Sequence, residues 1–253
     1  MSISSNLGPR LRLLRTAFTR RFIWPDLTAM VKAHGFELRE IRANVNPLRF
    51  AGRYFGAVAP GPDYAGALGP AEKFQLAGSH AWNSEPSVSE FLGDLAFRQR
   101  ARVVVELGCY VGWTSAHFAV GLRAAGAGGK LWCVDYDQRF LAAAQANLAQ
   151  RGLADGASFI KGLSLDAQVL AALPTQIDLL FIDTSHEYED TMREIAAYET
   201  RLAPGGMIAL HDSMSQNGVR KAVLEHWERY ETLTFATEFG NGVTILRPRQ
   251  GAV

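Results

Sequence analysis

Beyond residue 100 the chain alternates short apolar runs rich in β-branched residues with longer Ala-rich stretches, and this rhythm limits the folds open to it. The runs are RVVVEL (102–107), KLWCVD (130–135), ASFIKG (157–162), IDLLFID (177–183) and MIALHD (207–212). Between them lie helix-length segments such as FLAAAQANLAQRG (140–152), whose closing Gly152 suits a helix stop. Strands separated by a helix cannot pair as hairpins. They form βαβ units, and hence a parallel sheet with helices on both faces. The last two runs, LTFATEF (233–239) and VTILRP (243–248), are joined by two to three residues around Gly240 and Asn241. So short a link forces an antiparallel pair. The expected fold is therefore α/β: a Rossmann-like, doubly wound, mostly parallel sheet closed by an antiparallel C-terminal hairpin, with an N-terminal helical arm.

The arm differs in composition from the rest. Residues 1–53 hold ten Lys or Arg against three acids, although the whole chain has a net charge of only +1. RLRLLRTAFTRRF (10–22) is basic, acid-free and amphipathic at roughly helical spacing. A transit peptide, a membrane-surface helix and an arm packed on a partner subunit all fit that pattern. The favoured reading is an arm that makes a homo-oligomer or covers the substrate. AGRYFGAVAPGPDYAGALGP (51–70) reads as a linker behind a region of short helices and one strand, which gives an arm and linker over residues 1–77 and a ligand-binding domain over 78–253. A near-zero net charge points away from nucleic acid, and no run of 18 uncharged apolar residues suggests a transmembrane helix. Two cysteines without metal-type spacing make neither a disulfide framework nor a zinc site, so a reducing cytoplasm is expected.

In such sheets ligands sit beyond the carboxyl ends of the strands, where strand order reverses. The first strand ends in VVVELGCYVGWTS. A dinucleotide turn needs Gly-x-Gly-x-x-Gly, but Tyr110 and Trp113 stand at its second and third glycine positions. What remains is Glu-x-Gly-x-x-x-Gly, with Glu106, Gly108 and Gly112. A carboxylate there suits an ammonium group, and Thr114 and Ser115 at a helix start suit the carboxylate of the same ligand. Asp135, ending the second strand, suits a ribose diol. The plainer reading leaves the glycines to packing alone, and Tyr110 and Trp113 as pocket wall or core.

With ELGCYVG, Asp135, FIDTSH and LAPGGMIALHD, residues 78–248 resemble the class I S-adenosylmethionine-dependent methyltransferases. The resemblance implies that Gly108 and Gly112 line the methionine end of the cofactor, that Asp135 holds its ribose, and that Ser164 lies on the adenine side.

FIDTSHEYED (181–190) then carries the chemistry. Asp183 and Asp212 end neighbouring strands, with His186 and His211 beside them. Two such carboxylates can hold one divalent cation, which would acidify an acceptor hydroxyl for His186 to deprotonate. Structural roles compete: Thr184 and Ser185 as helix caps, Glu187, Glu189 and Asp190 as a helix first turn, and His186 as a surface residue. Asp-x-x-His followed by an acidic pair resembles the metal-dependent O-methyltransferases of macrolide and related sugars. The resemblance implies Asp183, Asp212 and the residue at 211 as metal ligands, with Asp183 also near the cofactor, and His186 as base. His211 replaces the Glu of that pattern, which implies a weaker site, another metal than magnesium (manganese, iron or zinc), or none.

SHAWNSEPS (79–87) supplies further pocket candidates in His80, Trp82, Asn83 and Glu85, whereas His34, His117 and His226 read as structural. The expected activity is O-methylation of a small hydroxylated acceptor, a sugar or secondary metabolite. Metal-independent N-methylation and a catalytically silent cofactor-binding subunit stand as alternatives.

Overall fold

The computed structural model describes residues 38–44, 61–77, 82–237 and 240–249. The basic 10–22 segment, His34, His80 and the first half of the 51–70 linker lie outside the described residues.

Eight strands form one sheet: β1 (Leu38–Ala43), β2 (Val103–Leu107), β3 (Lys130–Asp135), β4 (Ala157–Lys161), β5 (Ile177–Ile182), β6 (Leu202–His211), β7 (Tyr230–Thr237) and β8 (Val243–Pro248). Their order is β1-β7-β8-β6-β5-β2-β3-β4. The five from β6 to β4 are parallel, as the alternation predicts. The expected C-terminal hairpin is also present, with β8 inserted antiparallel between β6 and β7. One strand lies beyond the C-terminal pair: β1 extends the sheet antiparallel to β7. β6 also starts earlier than predicted, because Leu202 already pairs with Ile177, and residues 203–206 form an irregularity before pairing resumes between Met207 and Leu179.

The helices are α1 (Tyr64–Leu68), α2 (Pro86–Arg98), α3 (Trp113–Ala125), α4 (Gln138–Ala149), α5 (Ala167–Ala172), α6 (Tyr188–Glu199) and α7 (Asn217–Glu225). The central strands β2 and β5 are apolar at most positions because both faces are covered. Along β5, Leu179 and Phe181 face one core with Phe91 and Phe118, while Leu180 and Ile182 face the other with Val169, Ile195 and Val219. Residues 61–77 contribute Tyr64, Leu68 and Phe74 to the first core. Each such side chain contributes about 1.5–3 kcal/mol on burial. The outcome is a rigid frame whose parallel strands all end on one side. Strand order reverses between β2 and β5, the switch point where ligands bind in open α/β sheets.

Candidate active site

A cavity of about 960 Å³ opens at that switch point, large enough for a nucleoside-sized ligand with an acceptor beside it. At its edge the chain leaving β2 comes close to the chain leaving β5. Gly108 has φ 84°, and a Cβ there would overlap the carbonyl oxygen of Asp183. Asp183 N–H donates to Leu107 O at 2.9 Å across the same gap. Gly108 is thus required by close approach, and it lines the cavity.

The second glycine has another task. Gly112 caps α3 in the left-handed region, and a Cβ there would meet Ala144 Cα at 2.9 Å. It lets α3 pack on α4 and does not line the cavity. The packing reading thus holds for Gly112.

Asp135 is where the sequence put it, at the end of β3 and against the cavity. Its carboxylate is fixed by two backbone donors, Tyr110 N–H to Oδ2 at 2.9 Å and Asp137 N–H to Oδ1 at 3.0 Å. Burial raises its pKa above the ordinary value, although those bonds oppose the shift. Tyr110 also lines the cavity, its ring edge-on to Phe140 with centroids 4.7 Å apart. Trp113 does not. It is buried in the core against Phe74 and His117.

Three predicted ligand contacts turn inward. Glu106 is 1% exposed and accepts a short hydrogen bond from Ser115 Oγ. Burial pushes its carboxyl well above the usual range, which favours the neutral acid over the carboxylate that an ammonium group would need. Thr114 Oγ1 shares a 3.0 Å hydrogen bond with Ser89 Oγ of α2. The first turn of α3 therefore spends its hydroxyls within the protein. None of Glu106, Thr114 and Ser115 lines the cavity. The sequence shows a polar residue at each position but not which way it points.

Ser164 lines the cavity, with its hydroxyl donating to Glu194 Oε1 at 2.5 Å. Thr184 Oγ1 donates to the other oxygen of Glu194 at 2.9 Å, so Thr184 ties β5 to α6 rather than capping a helix. Glu187 occupies the N-cap of α6, with Glu189 and Asp190 in its first turn. Glu194 was not foreseen. It sits mid-helix on the face of α6 that meets the sheet, and only the packing of that helix reveals it.

The ionisable groups of FIDTSHEYED and MIALHD converge. His186 Nε2 lies 3.0 Å from Asp183 Oδ1 and 3.2 Å from Asp212 Oδ2. From the inner side, His211 Nδ1 lies 3.5 Å from Asp183 Oδ2 and 3.5 Å from Asp212 Oδ2. The far nitrogen of His211 is 2.8 Å from Glu85 Oε2, and Ser84 Oγ donates to Asp183 Oδ2 at 3.3 Å. Burial alone would raise the Asp183 pKa, but the two imidazoles outweigh it and hold the carboxyl well below its usual range. Burial would likewise lower His186, yet its bond to Asp183 and the charge of Asp212 raise it above 6.5.

These residues fit a divalent cation. Asp183, His186 and Asp212 each offer a donor atom within 4.8 Å of the others. His211 Nδ1 is a buried nitrogen without a hydrogen bond, aimed at the same two carboxylates. Of the SHAWNSEPS candidates, Trp82 and Asn83 line the cavity, and Glu85 reaches it through His211. His117 and His226 are buried, each 2.9 or 2.8 Å from a carbonyl of its own helix, in keeping with structural roles.

A methyltransferase-domain family model matches residues 105–213. The catechol O-methyltransferase of Niastella koreensis is 27% identical over 144 residues, covering 56% of this chain and 62% of that protein. The catechol O-methyltransferase of Mycobacterium tuberculosis is 32% identical over 130 residues, covering 51% and 56%. This chain thus spans about half to three-fifths of the length of the relatives it matches. Among solved structures, a Bacillus cereus O-methyltransferase in complex with SAH superposes with a TM-score of 0.60 at 19% identity, covering 79% of this chain and 96% of the other. TomG from Streptomyces achromogenes, in complex with SAM, gives 0.58 at 20% identity, covering 79% and 96%. At such identities the likeness establishes the fold.

Proposed function

We propose that this chain, whose residues 105–213 match a methyltransferase-domain family model, is a class I S-adenosylmethionine-dependent methyltransferase that transfers a methyl group to a hydroxyl of a small acceptor. The observation that carries the reading is the Asp183–His186–Asp212 cluster, set in the same cavity as Asp135. S-adenosylmethionine supplies an electrophilic methyl group. The chain's own residues then have three tasks.

Asp135 would accept from the ribose hydroxyls, since two backbone N–H groups already fix its orientation. Gly108 leaves room for the methionine end, and Tyr110 walls the cavity beside it. His186 would act as general base. Its Nε2 faces two carboxylates, which leaves Nδ1 as the ring nitrogen available to an acceptor hydroxyl. The carboxylates orient the ring and stabilise the imidazolium formed, as the third member of a nucleophile-activating group does. A divalent ion, when bound, would be held by Asp183, Asp212 and the His211 imidazole, leaving His186 as base, and would acidify the acceptor hydroxyl. Acceptors with neighbouring hydroxyls, catechols or sugars, suit such a site. Two relatives bear catechol in their names, which favours including that class in any screen.

The test is calorimetric titration with S-adenosylhomocysteine, followed by turnover of a catechol and sugar panel. Micromolar binding is expected. His186→Ala should keep that affinity and lose roughly 100-fold or more in turnover, the usual contribution of a general base. Unchanged turnover would remove His186 from the chemistry, and absent binding would remove the cofactor.

A further inference from the structure

The predicted metal site departs from an all-oxygen set at one position, His211, and the structure shows how that departure is built in. His211 ends β6 and is 5% exposed. Its ring does not turn to solvent, because carboxylates meet it on both sides. Nε2 meets the Glu85 carboxylate at 2.8 Å, and that carboxylate is itself buried at the N-cap of α2. A carboxylate on one ring nitrogen holds a proton there, so that a cation which displaces any proton from the other nitrogen finds its lone pair already aimed. Metal-binding histidines are held this way as a rule. Here the other nitrogen, Nδ1, is buried, makes no hydrogen bond, and lies 3.5 Å from an oxygen of each of Asp183 and Asp212. A second contact on that Asp183 oxygen comes from Ser84, one residue before Glu85, so the strap entering α2 braces both Asp183 and His211. Phe181 meets the His211 ring edge-on, with centroids 6.2 Å apart, and gives it little room to swing away.

We infer that Glu85 and His211 together retune the carboxylate site from magnesium to a first-row transition ion, with Glu85 as the positioning residue. Magnesium prefers oxygen donors, whereas iron, cobalt and zinc accept imidazole nitrogen readily. The selectivity therefore resides in one nitrogen and in the carboxylate that aims it. The inference deepens the proposed function and rests on it for what the ion does.

The test reads ion binding directly, without turnover. The purified protein, saturated with S-adenosylhomocysteine, is titrated with cobalt chloride and with magnesium chloride by calorimetry, and the visible absorption of the cobalt form is recorded. Cobalt is expected to bind far more tightly than magnesium, with absorption that reports a nitrogen donor. His211→Asp should cut the cobalt-to-magnesium preference at least tenfold. Glu85→Gln should weaken cobalt roughly 10- to 100-fold, the usual cost of losing such a partner, while magnesium changes little. Each variant is accepted only if it still binds S-adenosylhomocysteine. An unchanged preference in His211→Asp overturns the inference. So does a protein that binds S-adenosylhomocysteine but neither ion, because His211 is then a protonated partner of the carboxylates. Loss of S-adenosylhomocysteine binding in the parent protein instead overturns the methyltransferase reading.

Discussion

His117 offers a stability test whose size can be worked out in advance. It sits in α3, 1% exposed, with Nδ1 2.9 Å from Trp113 O, its ring stacked on Tyr64 and edge-on to Trp113. Burial lowers its pKa from 6.5 to about 4, and the bond to Trp113 O only partly opposes this. The folded value lies below the unfolded one. Between them the unfolded chain binds a proton that the native state refuses, so stability falls as pH drops from 6.5 and stops falling near 4. At about 1.4 kcal/mol per unit, going from pH 7.5 to 4.5 removes roughly 2.5 kcal/mol, a large share of a domain's total. Glu106 acts in the opposite sense over part of this range, so the measurement must be a difference. Urea unfolding of the parent and of His117→Gln at both pH values supplies it. The ring stacking that the variant forgoes weighs equally at each pH and cancels. The parent should lose about 2.5 kcal/mol more than the variant on acidification. Equal losses would mean that His117 takes up its proton without unfolding, and that its packing is looser than described.

The two glycines of the first turn should separate cleanly. Gly108→Ala sets a Cβ against the Asp183 carbonyl and should weaken S-adenosylhomocysteine binding at least tenfold by calorimetry. Gly112→Ala meets α4 instead, and should cost about 1–3 kcal/mol in urea unfolding with cofactor affinity nearly intact. For Glu106, the raised folded pKa means its stabilising contribution is full below the unfolded value of about 4.5 and is lost as pH rises. Glu106→Gln should therefore gain on the parent between pH 5 and 8, and a gap that stays flat over that range would contradict a buried neutral acid.

Hydrophobic period and loop length made the sheet legible. The five parallel strands and the final antiparallel pair follow from runs whose apolar residues face covered surfaces on both sides. One strand was expected before the linker, but its position and its partner were not readable, because LREIRA pairs at the far edge of the sheet with β7, nearly 200 residues away. At the site, residues that end strands were readable: Asp135, Asp183 and Asp212 interrupt apolar runs, and charge at such a place has few structural uses. Side chains inside elements were not. Glu106, Thr114 and Ser115 are as polar as Asp135, yet the pleat and the helix phase send them into the core, where Ser115 pairs with Glu106 and Thr114 with Ser89. Glu194 and the Glu85–His211 contact join residues 30 and 126 positions from their partners, and only the assembled fold brings such pairs together.

The backbone adds a test of whether the site is held under strain. Among the described residues, four other than glycine have positive φ: Arg100, Tyr110, His186 and Asp212. Arg100 lies in the tight turn before β2, but the other three line the cavity. Such conformations cost on the order of 1 kcal/mol each and persist where the surroundings enforce them, often at functional sites. At Asp212, with φ 54°, the chain turns sharply out of β6. Ser215 Oγ donates to its carboxylate at 3.0 Å, and its carbonyl accepts from Gln216 N–H at 2.8 Å. The turn sends the Asp212 carboxylate back beside Asp183 and both imidazoles. Removing that carboxylate as Asp212→Ala and as Asp212→Gly isolates the backbone component, since both variants lose the same charge. In relaxed backbone alanine is the more stable of the two by roughly 0.5–1 kcal/mol. At a left-handed residue the order should invert, with the Gly variant more stable by about 1 kcal/mol in urea unfolding. Alanine remaining the more stable would mean that Asp212 is not strained, and that its carboxylate reaches the site by side-chain rotation alone.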